Sequence, residues 1–485
     1  MDRRGFLKAA AGAPALLAAQ PTRPNVLFVL ADEWRAQATG YSGDPNVRTA
    51  ALDRLAAESA NFENAVSGHP VCCPYRGSLL TGQYPLTNGL FLNDEELKPT
   101  GTTLGQAFAN AGYRTGYIGK WHVHGSPDGK YGRRLAYIPP DHRFGFDYWK
   151  ACECTHDYNH SLFYEGDDPA PKYWPGYDAI AQTDDACRFI EQRSKARDPF
   201  FLVLSLGPPH FPLDTAPERY RALYRNREIR LRPNVPEKYR QEAIGDLRGY
   251  YSHMAALDDC VARLLGSLDS AGIAQRTIVV FTSDHGDMMR SQSLSTKHVP
   301  WDESIRVPFL LRYPQKLGTR GTRIRTVLNT PDIMPTLLGM AGLRTPDGVQ
   351  GTDYSGLCQG GAPPRDSAAF LQFPVSYGQA RSEGIGEYRG LRTERHTYVR
   401  SIRGPWLLYD TQTDPYQMHN LCGRGEYKDL QAGLDRALDA RLKALHDDFL
   451  PAAEYIRRAG FGHNGEISTP PGHVVSPWGD WESTL

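Results

Sequence analysis

The sequence predicts an α/β protein: a large, mostly parallel sheet with helices on both faces, then a smaller antiparallel sheet packed with a helix. Three observations predict it. Short, largely apolar runs, as strands buried on both faces are, alternate with stretches of helical periodicity along most of the chain. The texture then changes at "GLCQGGAPPRDSAA" (356–369), where Gly, Pro and Ala mark a linker. Beyond it, two β-like runs with turn residues between them precede one long helical stretch. A length of 485 residues suits one large unit with a smaller appendage better than one small core.

In chain order, "MDRRGFLKAAAGAPALLAAQ" joins Arg3-Arg4 to an apolar stretch too short to span a bilayer. Residues 1–20 therefore read as a removable export signal resembling the twin-arginine type, which implies a bacterial envelope and a periplasmic or secreted protein with no stable membrane insertion. Strands follow at "NVLFVLA" (25–31), "FFLVLSL" (200–206), "TIVVFTS" (277–283) and "VPFLLRYP" (307–314). Helical patterns at 51–59, 103–112, 178–196, 250–272 and 331–342 lie between them, which makes 24–355 the large unit. The smaller unit, 366–485, holds "YRGLRTERHTYVRS" (388–401), "WLLYDTQTDPYQMHNL" (406–421), a helix at 430–450 and an irregular tail.

Composition excludes some functions. Lys and Arg number 55 and Asp and Glu number 55, so no basic excess marks a nucleic-acid partner. Eight cysteines are too sparse for a disulfide framework, and Cys152 and Cys154 have no second pair at zinc-ribbon spacing, so they read as buried thiols or an occasional bridge rather than metal ligands.

Chemistry gathers where apolar strands end. The first strand leaves through Asp32-Glu33 and a later one through Asp284-His285. Either pair alone would be explained by helix capping. Together at one sheet rim they would hold a divalent cation through oxygen donors. A third stretch, "HPVCCPYRGSLLTG" (69–82), sets Cys72 and Cys73 before Pro74 and Arg76 at a helix start. Helix-terminal N–H groups and the Arg76 charge favour an anion there, and the same setting would depress a thiol pKa.

Cys-x-Pro-x-Arg followed by Leu-Thr-Gly resembles the signature of the sulfatase family, in which the cysteine is oxidised after translation to formylglycine. The resemblance continues through "RPNVLFVLADE", "YIGKWH", "GPPHFP", "TSDHGD", "KHVPWDESIRVPFLLRYP" and "LLYDTQTDPYQMHNL", in the family's order and over nearly the whole chain. It implies an alkaline-phosphatase-like fold and hydrolysis of a sulfate ester, on a carbohydrate or other small organic molecule, by S–O cleavage. Cys72 is then the residue converted by a formylglycine-generating maturation enzyme, with Cys73 at the variable position beside it. Hydrated, the aldehyde offers one hydroxyl to attack sulfur and a second whose collapse expels sulfate, a two-step covalent route. The implied metal ligands are Asp32, Glu33, Asp284, His285 and the converted Cys72, with calcium favoured by oxygen-rich ligation and manganese as the alternative. Arg76 would orient the nucleophile and neutralise charge, Lys120 would clamp sulfate oxygens, and His122 would hold or deprotonate the diol. His210 and Lys297 would bind the ester and protonate the leaving oxygen.

"CTHDYNHSLFY" (154–164) is dense in groups that read sugar hydroxyls or anions, and His156, Asp157 and His160 are its candidate substrate contacts. Two rival functions stand beside the sulfatase reading. One is a phosphonate monoester or phosphodiester hydrolase using the same aldehyde, which His285 favours. The other is a non-catalytic protein that binds sulfated glycans. A thiol hydrolase would need a Cys-His-Asn order that the chain lacks.

Overall fold

The computed structural model describes residues 23–125, 134–364 and 367–460. The export signal read at 1–20 and the tail beyond Gly460 lie outside the described residues. Among the described residues, no helix is long and apolar enough to cross a membrane.

Ten strands form the large sheet among the described residues: β1 (Asn25–Asp32), β2 (Ala60–Val66), β3 (Arg114–Lys120), β4 (Tyr148–Cys152), β5 (Leu162–Glu165), β6 (Asp168–Tyr173), β7 (Phe200–Pro209), β8 (Thr277–Ser283), β9 (Phe309–Arg312) and β10 (Thr322–Asn329). Their spatial order is β10-β2-β9-β8-β1-β7-β3-β4-β5-β6. β1 pairs in parallel with β7 and β8, and β3 in parallel with β7 and β4. β9 runs antiparallel between β8 and β2, and β5 and β6 add an antiparallel edge. Every residue of β1, β7 and β8 is buried, because helices cover both faces of the sheet centre. One face packs the helices Asp178–Ser194 and Arg240–Ser270. The other packs Cys72–Thr81, Leu104–Asn110 and Ile333–Met340.

The small sheet has the order β11 (Ala368–Phe373), β12 (Tyr388–Thr393), β13 (His396–Ser401) and β14 (Gly404–Asp410), antiparallel throughout. The helix Lys428–Ala444 packs on it through Leu438 and Leu442. An apolar layer including Met288, Trp301, Leu371 and Tyr388 joins the two sheets. Arg392 of β12 meets Asp302 of the large unit twice, Nε to Oδ1 at 2.9 Å and Nη2 to Oδ2 at 3.0 Å.

The four expected strands of the large sheet are all present, as are the expected helices, with shifted ends. β2, β3, β4, β5, β6 and β10 escaped the sequence reading for physical reasons. β3 carries two glycines and two charged ends, and β6 is a polar edge holding two prolines. The helix expected at 250–272 begins at Arg240, because its first two turns are polar and show little apolar periodicity.

Candidate active site

β1, β3, β7 and β8 are adjacent and parallel, so their C-terminal ends share one rim, and the polar residues leaving them meet there. β1 delivers Asp32 and then turns through Glu33, whose φ of 69° is left-handed. Its amide donates to Asp284 Oδ1 at 3.1 Å, tying the β1 end to the β8 end. Strain of this kind persists only where neighbours over-determine it. Opposite, the helix Cys72–Thr81 starts at Cys72 after extended Val71, ends on Gly82 at φ 64°, and is buried along its whole length. Cys72 thus sits at a rigid first turn, its side chain facing the rim.

The distances define one cluster. Cys72 Sγ lies 3.3 Å from His285 Nε2, 3.7 Å from Lys120 Nζ and 3.8 Å from Asp32 Oδ1. Lys120 Nζ donates to Asp32 Oδ2 at 2.7 Å. Arg76 Nη2 donates to Asp32 Oδ2 and Asp284 Oδ2 at 3.2 and 3.1 Å, while its Nη1 donates to Ser205 Oγ and the Lys120 carbonyl. Arg76 is therefore locked beneath the carboxylates. Lys297 Nζ donates to His210 Nε2 at 2.7 Å and lies 3.3 Å from Glu33 Oε2. That contact makes Nε2 the acceptor, so Nδ1 carries the proton and donates to the Phe211 carbonyl at 2.9 Å.

This donor set fits a divalent cation. Donor atoms of Asp32, Cys72, Asp284 and His285 all lie within 4.8 Å of one another, and so do those of Asp32, Glu33 and His210. Among the described residues Glu33 Oε1 is buried with no hydrogen-bond partner, the condition a cation would relieve. Burial pushes the Glu33 carboxyl well above its usual range, against the pull of Lys297. Burial pushes Asp32 the same way, but Lys120, His210, Arg76 and His285 outweigh it and hold that carboxyl well below the usual range.

The Cys72 thiol differs from the expectation of a depressed pKa. Burial and the Asp32 charge push it up, over the opposing charges of Lys120 and Lys297. One helix turn cannot offset full desolvation beside two carboxylates, so a plain thiolate is disfavoured here.

Above the cluster opens a cavity of about 390 Å³, lined by Cys72, Lys120, His122, His156, His210 and Lys297, with Tyr377 and Glu383 arriving from the small unit. His156 stacks on His210 at 4.3 Å. Asp157 and His160, expected as substrate contacts, do not reach this cavity. Tyr158 between them is buried with its hydroxyl donating to the His210 carbonyl at 3.0 Å, which turns both neighbours outward. Asp157 Oδ1 then accepts the His160 amide at 3.1 Å, and the His160 ring stacks on Tyr173.

Sequence reasoning missed Asp94. His122 Nε2 lies 2.9 Å from Asp94 Oδ1, and Arg134 holds both oxygens of the same carboxylate, Nε at 2.9 Å and Nη2 at 2.7 Å. Asp94 (φ 61°) and His122 (φ 56°) are both left-handed. Burial and the Lys120 charge lower the His122 pKa to about 3, so the ring is neutral, donates Nε2–H to Asp94 and keeps its lone pair on Nδ1. Cys73 is also more than a neighbour of Cys72: its amide donates to Asn93 Oδ1 at 3.0 Å and its sulfur accepts the Asp94 amide at 3.2 Å, seating the loop that holds His122. No motif marks Asn93 or Asp94, whose role exists only through contacts across the fold.

The family model described as Sulfatase matches residues 24–343, and that of the N-sulphoglucosamine sulphohydrolase C-terminal region matches 293–444. The chain belongs to the sulfatase family. Among sulfatases it is 42% identical over 468 residues to an ulvan-active sulfatase of Formosa agariphila, covering 94% of this chain and 90% of that one. An endo-4-O-sulfatase of Bacteroides thetaiotaomicron is 30% identical, with 90% of this chain and 95% of the relative covered. A solved structure concerned with glycosaminoglycan metabolism in Bacteroides thetaiotaomicron superposes with a TM-score of 0.79 at 27% identity, covering 90% of this chain and 99% of that one. The chain is thus a sulfuric ester hydrolase with the alkaline-phosphatase-like fold, and its family implies formylglycine and a divalent metal.

Proposed function

We propose that this sulfatase removes sulfate from a sulfated polysaccharide, of which ulvan is the best-supported example given the 42% identical relative. The observation that carries the site assignment is Cys72: it starts a buried helix, within 3.8 Å of Asp32, Lys120 and His285. Asp32, Glu33, Asp284 and His285, with the converted Cys72, hold the metal, and their carboxylate oxygens favour calcium over manganese. When bound, the hydrated aldehyde supplies the nucleophilic oxygen and the cation supplies Lewis-acid charge.

The chain's own residues do the rest. Lys120 places an ammonium between Asp32 and Cys72, where it meets an incoming sulfate oxygen. Arg76 offsets the charge of the two carboxylates from below. His122, neutral and oriented by Asp94, accepts a proton at Nδ1. Lys297 and His210 hold one proton between them at 2.7 Å and deliver it to the leaving oxygen. His156 borders the sugar. Residues 1–20 direct export to the periplasm or beyond, and the division at 355–366 separates the catalytic unit from a small unit that closes one side of the cavity.

The test is mass spectrometry of the Cys72 peptide from protein made with a formylglycine-generating enzyme, followed by sulfate release from ulvan and phosphonate release from an aryl phosphonate monoester. Aldehyde at Cys72 with preferential sulfate release is expected. An unmodified thiol, or faster phosphonate cleavage, would overturn the assignment.

A further inference from the structure

A second cavity, of about 690 Å³, lies beside the catalytic one, and Glu383 lines both. We propose that it binds the neighbouring sugars of an anionic glycan chain, so that this enzyme recognises several residues of a polysaccharide around the sulfate it removes. The proposal rests on the sulfatase reading above and extends it from the scissile ester to the chain that carries it.

Four observations support this. The size suits a built ligand site, which typically spans about 300–1,000 Å³. Its wall carries Trp301 and Trp406, packed edge to face at 5.8 Å and 90°, with Tyr388 against Trp406 at 6.2 Å. These contacts hold the half-buried Trp406 ring rigid, and a fixed aromatic surface takes the apolar face of a sugar with little loss of side-chain entropy. Two guanidinium groups, Arg381 and Arg403, line the same cavity. Arg403 is exposed on the turn between β13 and β14, and guanidinium is suited to planar recognition of carboxylate or sulfate oxygens. Of the two acids present, Glu387 already accepts the Ala452 amide at 2.7 Å at the start of a helix, while Glu383 stands at the junction of the cavities.

The fourth observation concerns the partition between the cavities. Ser295 to His298 face the catalytic side, and Gln292 and Leu294 face the second cavity. Along this segment Met289, Arg290, Gln292, Ser293, Thr296 and His298 all take positive φ, from 44° to 78°. So many non-glycine residues in the left-handed region are costly, and strain of this kind collects where backbone must be shaped around a ligand. Gln292 anchors the segment by donating to the Tyr416 and Gln417 carbonyls at 2.9 Å each. The wall between the two cavities is therefore held in place rather than left to collapse.

The experiment uses the mature full-length enzyme with an aryl sulfate and with a size series of sulfated fragments of the polysaccharide tested above. In the wild type, kcat/KM should rise with fragment length beyond the monosaccharide. In Trp406→Ala and Arg403→Gln, kcat/KM on long fragments should fall about tenfold, mainly through KM, while aryl sulfate hydrolysis stays within about twofold. Arg403→Gln guards against a folding defect from truncating Trp406. Equal turnover of monosaccharide and long fragments, or parallel losses on aryl sulfate and fragments in Arg403→Gln, would overturn the proposal. Calorimetry with unmatured protein, in which Cys72 stays a thiol, separates the two levels. Fragment binding that the groove variants weaken, in a protein that releases no sulfate once matured, would remove the sulfatase reading and keep the subsite. Aryl sulfate turnover with fragment binding indifferent to the variants would do the reverse.

Discussion

Replacing Asp94 by Asn tests whether that carboxylate acts through His122. The carboxylate accepts three hydrogen bonds, from His122 Nε2 and Arg134 Nε at Oδ1 and from Arg134 Nη2 at Oδ2. An amide of the same shape has one acceptor. If its oxygen stays at Oδ1, its NH2 points at the Arg134 guanidinium; if it flips, the NH2 points at His122 Nε2. The flipped amide keeps the Arg134 Nη2 bond and forces His122 into the other tautomer, with the proton on Nδ1 and no lone pair for the diol. A hydrogen bond to a charged group contributes about 1.5–3 kcal/mol, which corresponds to about 10-fold to 150-fold in rate. Asp94→Asn should therefore lower kcat/KM for an aryl sulfate by that factor, chiefly in kcat. The assay is a double-mutant cycle with His122→Ala: in that background Asp94→Asn should cost almost nothing further. Additive losses would show that Asp94 does not work through His122, and the reasoning would fail.

Dialysis against a calcium-selective chelator should abolish activity, with calcium restoring it more fully than manganese; unchanged activity after verified metal removal would contradict the cation site. Lys297→Met should cost about 100-fold or more on sugar sulfates, whose leaving oxygens need a proton, and far less on an aryl sulfate with an acidic phenol; equal losses on both would exclude a general-acid role. Burial raises the Asp302 carboxyl, but Arg392 and Arg306 outweigh it and hold it at about 2 in the fold against 3.8. A group depressed in this way stabilises the fold at pH above about 4, by about 2.5 kcal/mol for a shift of that size, and loses the contribution as pH falls towards 2. Asp302→Asn should remove this pH dependence and destabilise by about 3–5 kcal/mol, because Arg392 is left buried without its partner. Urea unfolding from pH 7 to pH 3 reads both effects, and a loss under about 1 kcal/mol would contradict the clamp between the sheets.

The central strands were legible because fully buried parallel strands have no solvent-facing side, so β1, β7 and β8 stand out as apolar runs without polar alternation. The residues at or just past the ends of β1 and β8 were legible for the same reason: Asp32, Glu33, Asp284 and His285 are polar where an apolar run breaks off. Cys72, Pro74 and Arg76 were legible as a local motif on one helix turn. Edge strands were not, since β6 is bonded on one side only and its composition is free to be polar.

The sequence by itself determined the fold class, because buried strands and helical periodicity are local patterns, and it marked Asp32, Glu33, Cys72, Asp284 and His285 as candidates through residue types out of place in their local context. Only the tertiary structure decided which histidines face the cavity and what holds them. It turned Asp157 and His160 away from the catalytic cavity, placed Asp94 behind His122, raised the Cys72 thiol pKa through burial, and brought Trp301, Trp406 and Arg403 beside that cavity. Those outcomes depend on side-chain direction and on desolvation, which are set by residues distant in sequence and appear only when the chain is packed.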